Sequence, residues 1–126
     1  MSSKNLDDDI AVERGDILYI RFPNVFEEAE GSEQAGLRPA IVVQNNVDNK
    51  YSPTIIVIPT TLQMPRKKFP TDVYIENMLS DGKISVALAS QIRVISKTRI
   101  IKKVGKIPED KMKEIDKAIR ISLYLE

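Results

Sequence analysis

Short apolar runs separated by polar, turn-rich stretches make up most of the chain, and one stretch near the end has a different period. Asp16-Ile17-Leu18-Tyr19-Ile20-Arg21-Phe22 follows Gly15 and stops at Pro23, which predicts a first strand. Ala40-Ile41-Val42-Val43 and Ile55-Ile56-Val57-Ile58 are continuous apolar runs of strand length. They predict neighbouring buried strands, over Arg38 to Gln44 and Thr54 to Pro59. Asn45-Asn46-Val47-Asp48-Asn49-Lys50 between them is rich in turn formers and predicts a loop. Thr71 to Ile75 predicts a further strand, and Ser80-Asp81-Gly82-Lys83 carries the Asp-Gly signal of a hairpin turn. Lys83 to Leu88 alternates polar and apolar residues, as a half-buried strand does. Arg93-Val94-Ile95 and Ile100 to Val104 read as the last strands. At Pro108 the period lengthens. Met112, Ile115, Ile119 and Leu123 recur at helical spacing, with Glu109 and Asp110 in the first turn, and predict a packed helix to about Leu125. The pattern as a whole predicts a mostly β fold with a C-terminal helix (α+β), in which a small, strongly bent, mostly antiparallel sheet or open barrel packs against the helix.

Composition narrows the function classes. A chain of 126 residues, 42% of them hydrophobic, is enough for one domain with a modest core, expected over 13–126. Residues 1–12 are polar and acidic and are expected to form a flexible arm. No apolar run approaches a membrane span or a signal-peptide core, so the expected location is cytoplasmic. The absence of cysteine excludes disulfides and thiolate chemistry, and the absence of histidine removes the usual neutral-pH acid–base group. No Asp/Glu cluster has the composition of a two-metal site, and no metal or cofactor is expected. A net charge of +1 says nothing about nucleic acid, whereas the distribution of charge does.

The polar chemistry is concentrated in Gly31-Ser32-Glu33-Gln34-Ala35-Gly36-Leu37-Arg38-Pro39-Ala40, at the end of a long loop over 24–37. Pro39 fixes its own φ and pushes Arg38 towards an extended conformation, so the guanidinium sits at the mouth of a strand. Its fork suits phosphate or carboxylate, and the same residues are equally those of a surface Arg–Glu pair closing a hairpin. Antiparallel pairing of the two apolar runs would bring Arg38 close to Thr61 in Pro59-Thr60-Thr61-Leu62-Gln63, placing a cation and a hydroxyl on one rim. A second exposed loop, Gln63 to Pro70, holds Arg66, Lys67, Lys68 and Phe69. These residues fit phosphate contact and base stacking, or simply a solvated basic loop. Arg93, Lys97, Arg99, Lys102, Lys103 and Lys106 form a stripe with no acidic residue between them, which is either a solvated strand face or an attractor for a polyanion.

Taken together and in order, Arg14-Gly15-Asp16-Ile17, Gly31 to Gly36, Arg38-Pro39-Ala40, Tyr51-Ser52-Pro53-Thr54, Pro59-Thr60-Thr61 and Gln91-Ile92-Arg93 resemble the MazF/PemK-like toxins, ribosome-independent mRNA interferases of toxin–antitoxin systems. The likeness covers roughly Glu13 to Leu125. It implies an SH3-like barrel, a homodimer, a single-stranded RNA substrate and a cognate antitoxin that silences the toxin. It carries Arg38 and Thr61 onto the family's catalytic arginine and threonine, and places Glu33 and Gln34 near the substrate. Ser32, Gln34, Thr60, Gln63, Lys67, Lys68, Phe69 and Gln91 are the candidate substrate-binding residues. The chain departs from many members at Ser90, where they carry Asp or Glu before the Gln of Gln-Ile-Arg.

RNA carries its own nucleophile, the 2′-hydroxyl, so a metal-free route needs only positioning, charge stabilisation and proton transfer. Arg38 is the candidate for the phosphorane contact. Thr61 is the candidate to hydrogen-bond a phosphate oxygen or orient the hydroxyl, and Glu33 the candidate base, with its pKa raised by partial burial. The products would be a 2′,3′-cyclic phosphate and a 5′-hydroxyl. Two other classes fit the same pattern: a non-catalytic SH3-like module that binds RNA or protein, and a toxin of the same fold that inhibits DNA gyrase through its C-terminal residues.

Overall fold

The computed structural model describes residues 10–23 and 36–126. Seven strands and two α-helices follow in the order β1 (Asp16–Arg21), β2 (Leu37–Val42), α1 (Asn46–Tyr51), β3 (Thr54–Thr61), β4 (Asp72–Glu76), β5 (Ile84–Leu88), β6 (Arg93–Ser96), β7 (Ile100–Lys106) and α2 (Glu109–Ser122). Short 3₁₀ turns at Ala89–Gln91 and Lys97–Arg99 flank β6. All the pairings are antiparallel, in the order β4-β5-β3-β2-β1-β7, with β6 also on β3. β3 divides one edge between two partners. Thr54 to Val57 pair with β6, and Thr60 and Thr61 pair with β5. The sheet stays open, because β4 and β7 end the order without pairing to each other.

The continuous apolar runs are explained by burial on both faces. Ile17, Ile41, Val43 and Ile58 enter one cluster with Ile107, Met112, Ile115 and Ala118, under α2. Leu18, Ile20, Ala40, Val42, Ile55 and Val57 enter a second cluster on the opposite face, with Phe22, Ile95 and Ile100. Successive side chains of a strand point to opposite faces, so residues of β1, β2 and β3 supply the two clusters alternately. Val12, the last residue of the expected arm, belongs to the second cluster, and Ile10 packs against it.

Several local expectations are corrected. The expected loop at Asn45 to Lys50 contains α1, because the Asn45 side chain accepts from Asp48 N at 2.8 Å and caps the first turn. Buried Asn49 and Gln44 then exchange amide hydrogen bonds: Gln44 Nε2 donates to Asn49 Oδ1, and Asn49 Nδ2 donates to the Gln44 carbonyl. β3 runs past Pro59 to Thr61. β5 does not alternate, since Ser85, Val86 and Ala87 are all buried; it lies inside the sheet between β4 and β3. The turn joining β4 to β5 is longer than a two-residue hairpin. It closes where Asn77 N donates to the Lys83 carbonyl at 2.8 Å, and Gly82 takes a φ of +76°. In α2 the buried residues are Met112, Ile115 and Ala118, while Leu123 caps the helix and stands 47% exposed. Among the described residues no helix is long and apolar enough to cross a membrane.

Candidate active site

Arg38 and Thr61 are set by register. In the β2–β3 ladder Ala40 faces Pro59, Ile41 faces Ile58 and Val42 faces Val57. Two steps further along that register Arg38 falls opposite Thr61, on strands packed through both core clusters. On its other side Arg38 pairs with Ile20 of β1. Both Arg38 and Thr61 are half-buried. The Thr61 hydroxyl accepts from Gln63 N at 3.0 Å, which turns the chain away from β3. Thr60 differs from its neighbour: it is 2% exposed, and its hydroxyl donates to the Pro39 carbonyl at 3.1 Å. Thr60, a candidate for substrate contact, thus has its hydroxyl engaged between the strands. Ser32, Glu33 and Gln34 lie outside the described residues.

The basic loop leaves β3 beyond Thr61. Gln63, Lys67 and Lys68 are exposed, and Phe69 is 55% exposed. Phe69 owes its placement to Asp72, a residue that composition does not single out. The Asp72 carboxylate accepts from Phe69 N at 2.9 Å, and Asp72 N donates back to the Phe69 carbonyl at 2.9 Å. This reciprocal pair closes a tight turn at the foot of β4. Lys68 lies over the Tyr74 ring, 5.2 Å from its centre. Gln91 and Ser90 are exposed on the 3₁₀ turn that bridges β5 and β6 along β3.

The basic stripe divides. Lys103 and Lys106 reach buried Asp16 at 3.1 and 3.5 Å, and Lys106 also meets Glu13 at 2.6 Å. Lys97 donates to the Asn49 carbonyl. Arg93 lies over the Phe22 ring and Lys102 over the Tyr19 ring. Most of these cations are thus engaged in holding strands together. The Lys106 hydrogen bond, then its charge, lowers the Glu13 carboxyl below its ordinary range, and the same bond raises the Lys106 ammonium. Among the described residues no group of three or more His, Cys, Asp or Glu side chains converges as a metal site.

A rim bearing an arginine and a threonine hydroxyl, beside a loop of exposed cations and an aromatic ring, has the donors to grip a phosphodiester and the flat surface to stack a base. Known proteins resemble this chain over most of its length. Residues 13–123 match the sequence pattern of PemK-like, MazF-like toxins of type II toxin–antitoxin systems. The chain is 42% identical over 113 residues to "Endoribonuclease MazF" of Staphylococcus saprophyticus, covering 89% of this chain and 91% of that protein. The fold is similar to the crystal structure of MazF (Form-I) from Deinococcus radiodurans, with a TM-score of 0.74, 23% identity, and coverage of 93% of this chain and 100% of that one. It is also similar to an endoribonuclease in complex with its cognate antitoxin from a mycobacterial species, with a TM-score of 0.73, 20% identity, and coverage of 92% and 98%.

Proposed function

This chain belongs to the family of PemK-like, MazF-like toxins of type II toxin–antitoxin systems, and we propose that it is a sequence-specific endoribonuclease that cuts single-stranded mRNA in the cytoplasm. The observation that supports the reading is the β2–β3 register, which carries Arg38 opposite Thr61 when continued two steps past its last pair, Ala40 and Pro59. The Arg38 guanidinium binds the two non-bridging oxygens of the scissile phosphate as negative charge gathers there. The Thr61 hydroxyl donates to one of these oxygens or orients the attacking 2′-hydroxyl. Glu33, which lies outside the described residues, is the base that removes the 2′ proton, and Ser90 leaves the alternative acidic position empty of a carboxylate. Lys67, Lys68 and Phe69 guide and stack the flanking nucleotides. The route is metal-free in this reading: Arg38 supplies the charge that a cation would otherwise bring to the phosphate.

The active form is a homodimer. What supports this is an apolar face beside the site strands. Ile56 pairs with Val94, which is 59% exposed; Ile56, Ile92 and Ile119 line one shallow cleft, rimmed by Arg14, Asp116 and Arg120; and exposed Leu123 follows Ile119 by one helical turn. A second copy covers this face and aligns two sites along one groove. An acidic segment of the cognate antitoxin competes for that groove by mimicking phosphates.

Cleavage of mixed RNA in EDTA, with sequencing of the ends, tests the reading. The expected result is cutting at a recurrent short sequence that leaves 2′,3′-cyclic phosphate and 5′-hydroxyl ends. Cutting stops when the nucleotide 5′ of the cut lacks its 2′-hydroxyl. Activity that disappears on chelation and returns with magnesium overturns the metal-free route. Intact RNA alongside inhibited supercoiling places the chain with the gyrase inhibitors.

A further inference from the structure

Antiparallel strands alternate between residue pairs joined by two backbone hydrogen bonds and pairs joined by none. Val43 N donates to the Ile56 carbonyl at 2.9 Å, which places Ile56, Ile58 and Thr60 of β3 on the bonded phase towards β2. The partner due to Thr60 is Pro39, and proline has no N–H to give. The ladder accordingly ends one pair earlier, at Ala40 and Pro59. Beyond that pair, the buried Thr60 hydroxyl donates to the Pro39 carbonyl at 3.1 Å. Pro39 is joined directly to Arg38, and Thr60 directly to Thr61. A side-chain bond therefore reinforces a pair that proline leaves half-made, at the last contact before the two strands present their functional groups.

Resting on the reading of Arg38 and Thr61 as the reacting pair, we propose that Thr60 is a positioning residue: its hydroxyl fixes the spacing of β2 and β3 so that the Arg38 guanidinium and the Thr61 hydroxyl meet the same phosphate. Thr60 itself does not touch RNA. The clusters on both faces hold the strands together further in, so the hydroxyl matters to the site more than to the fold. A displacement of about 1 Å in a reacting group is enough to cost about a hundredfold in rate.

Thr60→Val keeps the shape and removes the donor, Thr60→Ser keeps the donor, and Thr60→Ala removes both hydroxyl and methyl. Three readouts separate the roles: single-turnover cleavage of a fluorophore-quencher RNA, affinity for a 2′-O-methyl copy that cannot be cut, and the thermal midpoint. Thr60→Val and Thr60→Ala are expected to cut about 10- to 100-fold more slowly, with the midpoint lowered by only a few degrees. Their affinity for the 2′-O-methyl copy stays within about threefold of wild type, and Thr60→Ser cuts within about threefold. Wild-type cleavage by Thr60→Val overturns the proposal. A fall in affinity that matches the fall in rate overturns it in favour of direct RNA contact, and a Thr60→Ser variant as slow as Thr60→Val overturns it in favour of methyl packing. An inert wild type, or an Arg38→Ala variant that cuts as fast as wild type, overturns the underlying reading of the site as well.

Discussion

β1 has cation-rich surroundings at both ends, and the two ends do different things. At its start, Asp16 is 2% exposed and accepts from Glu13 N at 2.7 Å, with Lys103 and Lys106 closing on its carboxylate from β7. Beside it Arg14 donates to the Val43 carbonyl and reaches Asp116 of α2. These cations tie the N-terminal turn, β2, β7 and the helix into one body. At the far end of β1, Ile20 pairs with Arg38, and the β2–β3 register, continued past its last pair, carries Thr61 opposite it. A guanidinium and a hydroxyl at a strand mouth suit an incoming anion. The lesson is that a basic residue cannot be judged from its sequence neighbours. The carboxylates that neutralise Lys103 and Lys106 come from a part of the chain about ninety residues earlier, through the β1–β7 pairing.

The sharpest way to break this comparison is at the far end. Arg38→Ala is expected to lower the cleavage rate by about a thousandfold, because a charge that stabilises the phosphorane is lost. Its thermal midpoint should stay close to wild type. Arg38→Lys should remain at least about tenfold slow, since an ammonium lacks the planar fork. Quench-release assays on RNA and a melting curve read both, and an alanine variant with full turnover removes Arg38 from the site.

The near end should give the reverse. Asp16→Ala leaves the Glu13 amide without its acceptor and Lys103 and Lys106 without their buried partner. The expected loss is about 2 kcal/mol of stability, below the range for fully buried pairs because both lysines are half-exposed. A lowered urea midpoint with unchanged cleavage per folded molecule supports the division of labour between the ends. Lost cleavage at unchanged stability would show that the ends are coupled.

The same contrast marks what the sequence discloses. β1, β2 and β3 are legible because burial on both faces leaves unbroken apolar runs, and the approach of Arg38 to Thr61 follows once the two runs are paired. α1 is not legible. Its Asn and Asp residues serve turns and helix caps alike, and only the cap at Asn45 and the Gln44–Asn49 amide exchange decide for a helix. Leu123 has the helical spacing of a core residue yet falls at the exposed end of α2, where it is the C-cap and no longer part of the helix. The roles of Asp72 and Thr60 depend on a reciprocal turn and on a side-chain bond across two strands. Both become visible only when partners are known. For Thr60 the signal was nevertheless present: an antiparallel register that pairs Arg38 with Thr61 also pairs Pro39 with Thr60.

The smallest expected effect lies at the near end, on the surface. Glu13 and Lys106 meet at 2.6 Å with both side chains largely exposed. Glu13 is held below its ordinary value of 4.5, first by the Lys106 hydrogen bond and then by its charge, so its contribution is present above that value and is lost as pH falls through the depressed one. Lys106 is held above its ordinary value of 10.5 by the same bond, so its contribution is present below that value and is lost as pH rises through the raised one. The pair therefore supports the fold across the whole neutral range and fades only at its acid and alkaline edges. Solvent screening keeps it weak throughout. Glu13→Gln should accordingly leave the neutral melting temperature within the scatter of repeated scans and flatten slightly the fall in stability on the acid side. Adding salt to the wild type should remove most of the remaining difference. A large loss at neutral pH from this substitution would mean that the exposed pair, and not buried Asp16, fastens β1 to β7, and the near end would then be held from the surface and not from its buried carboxylate.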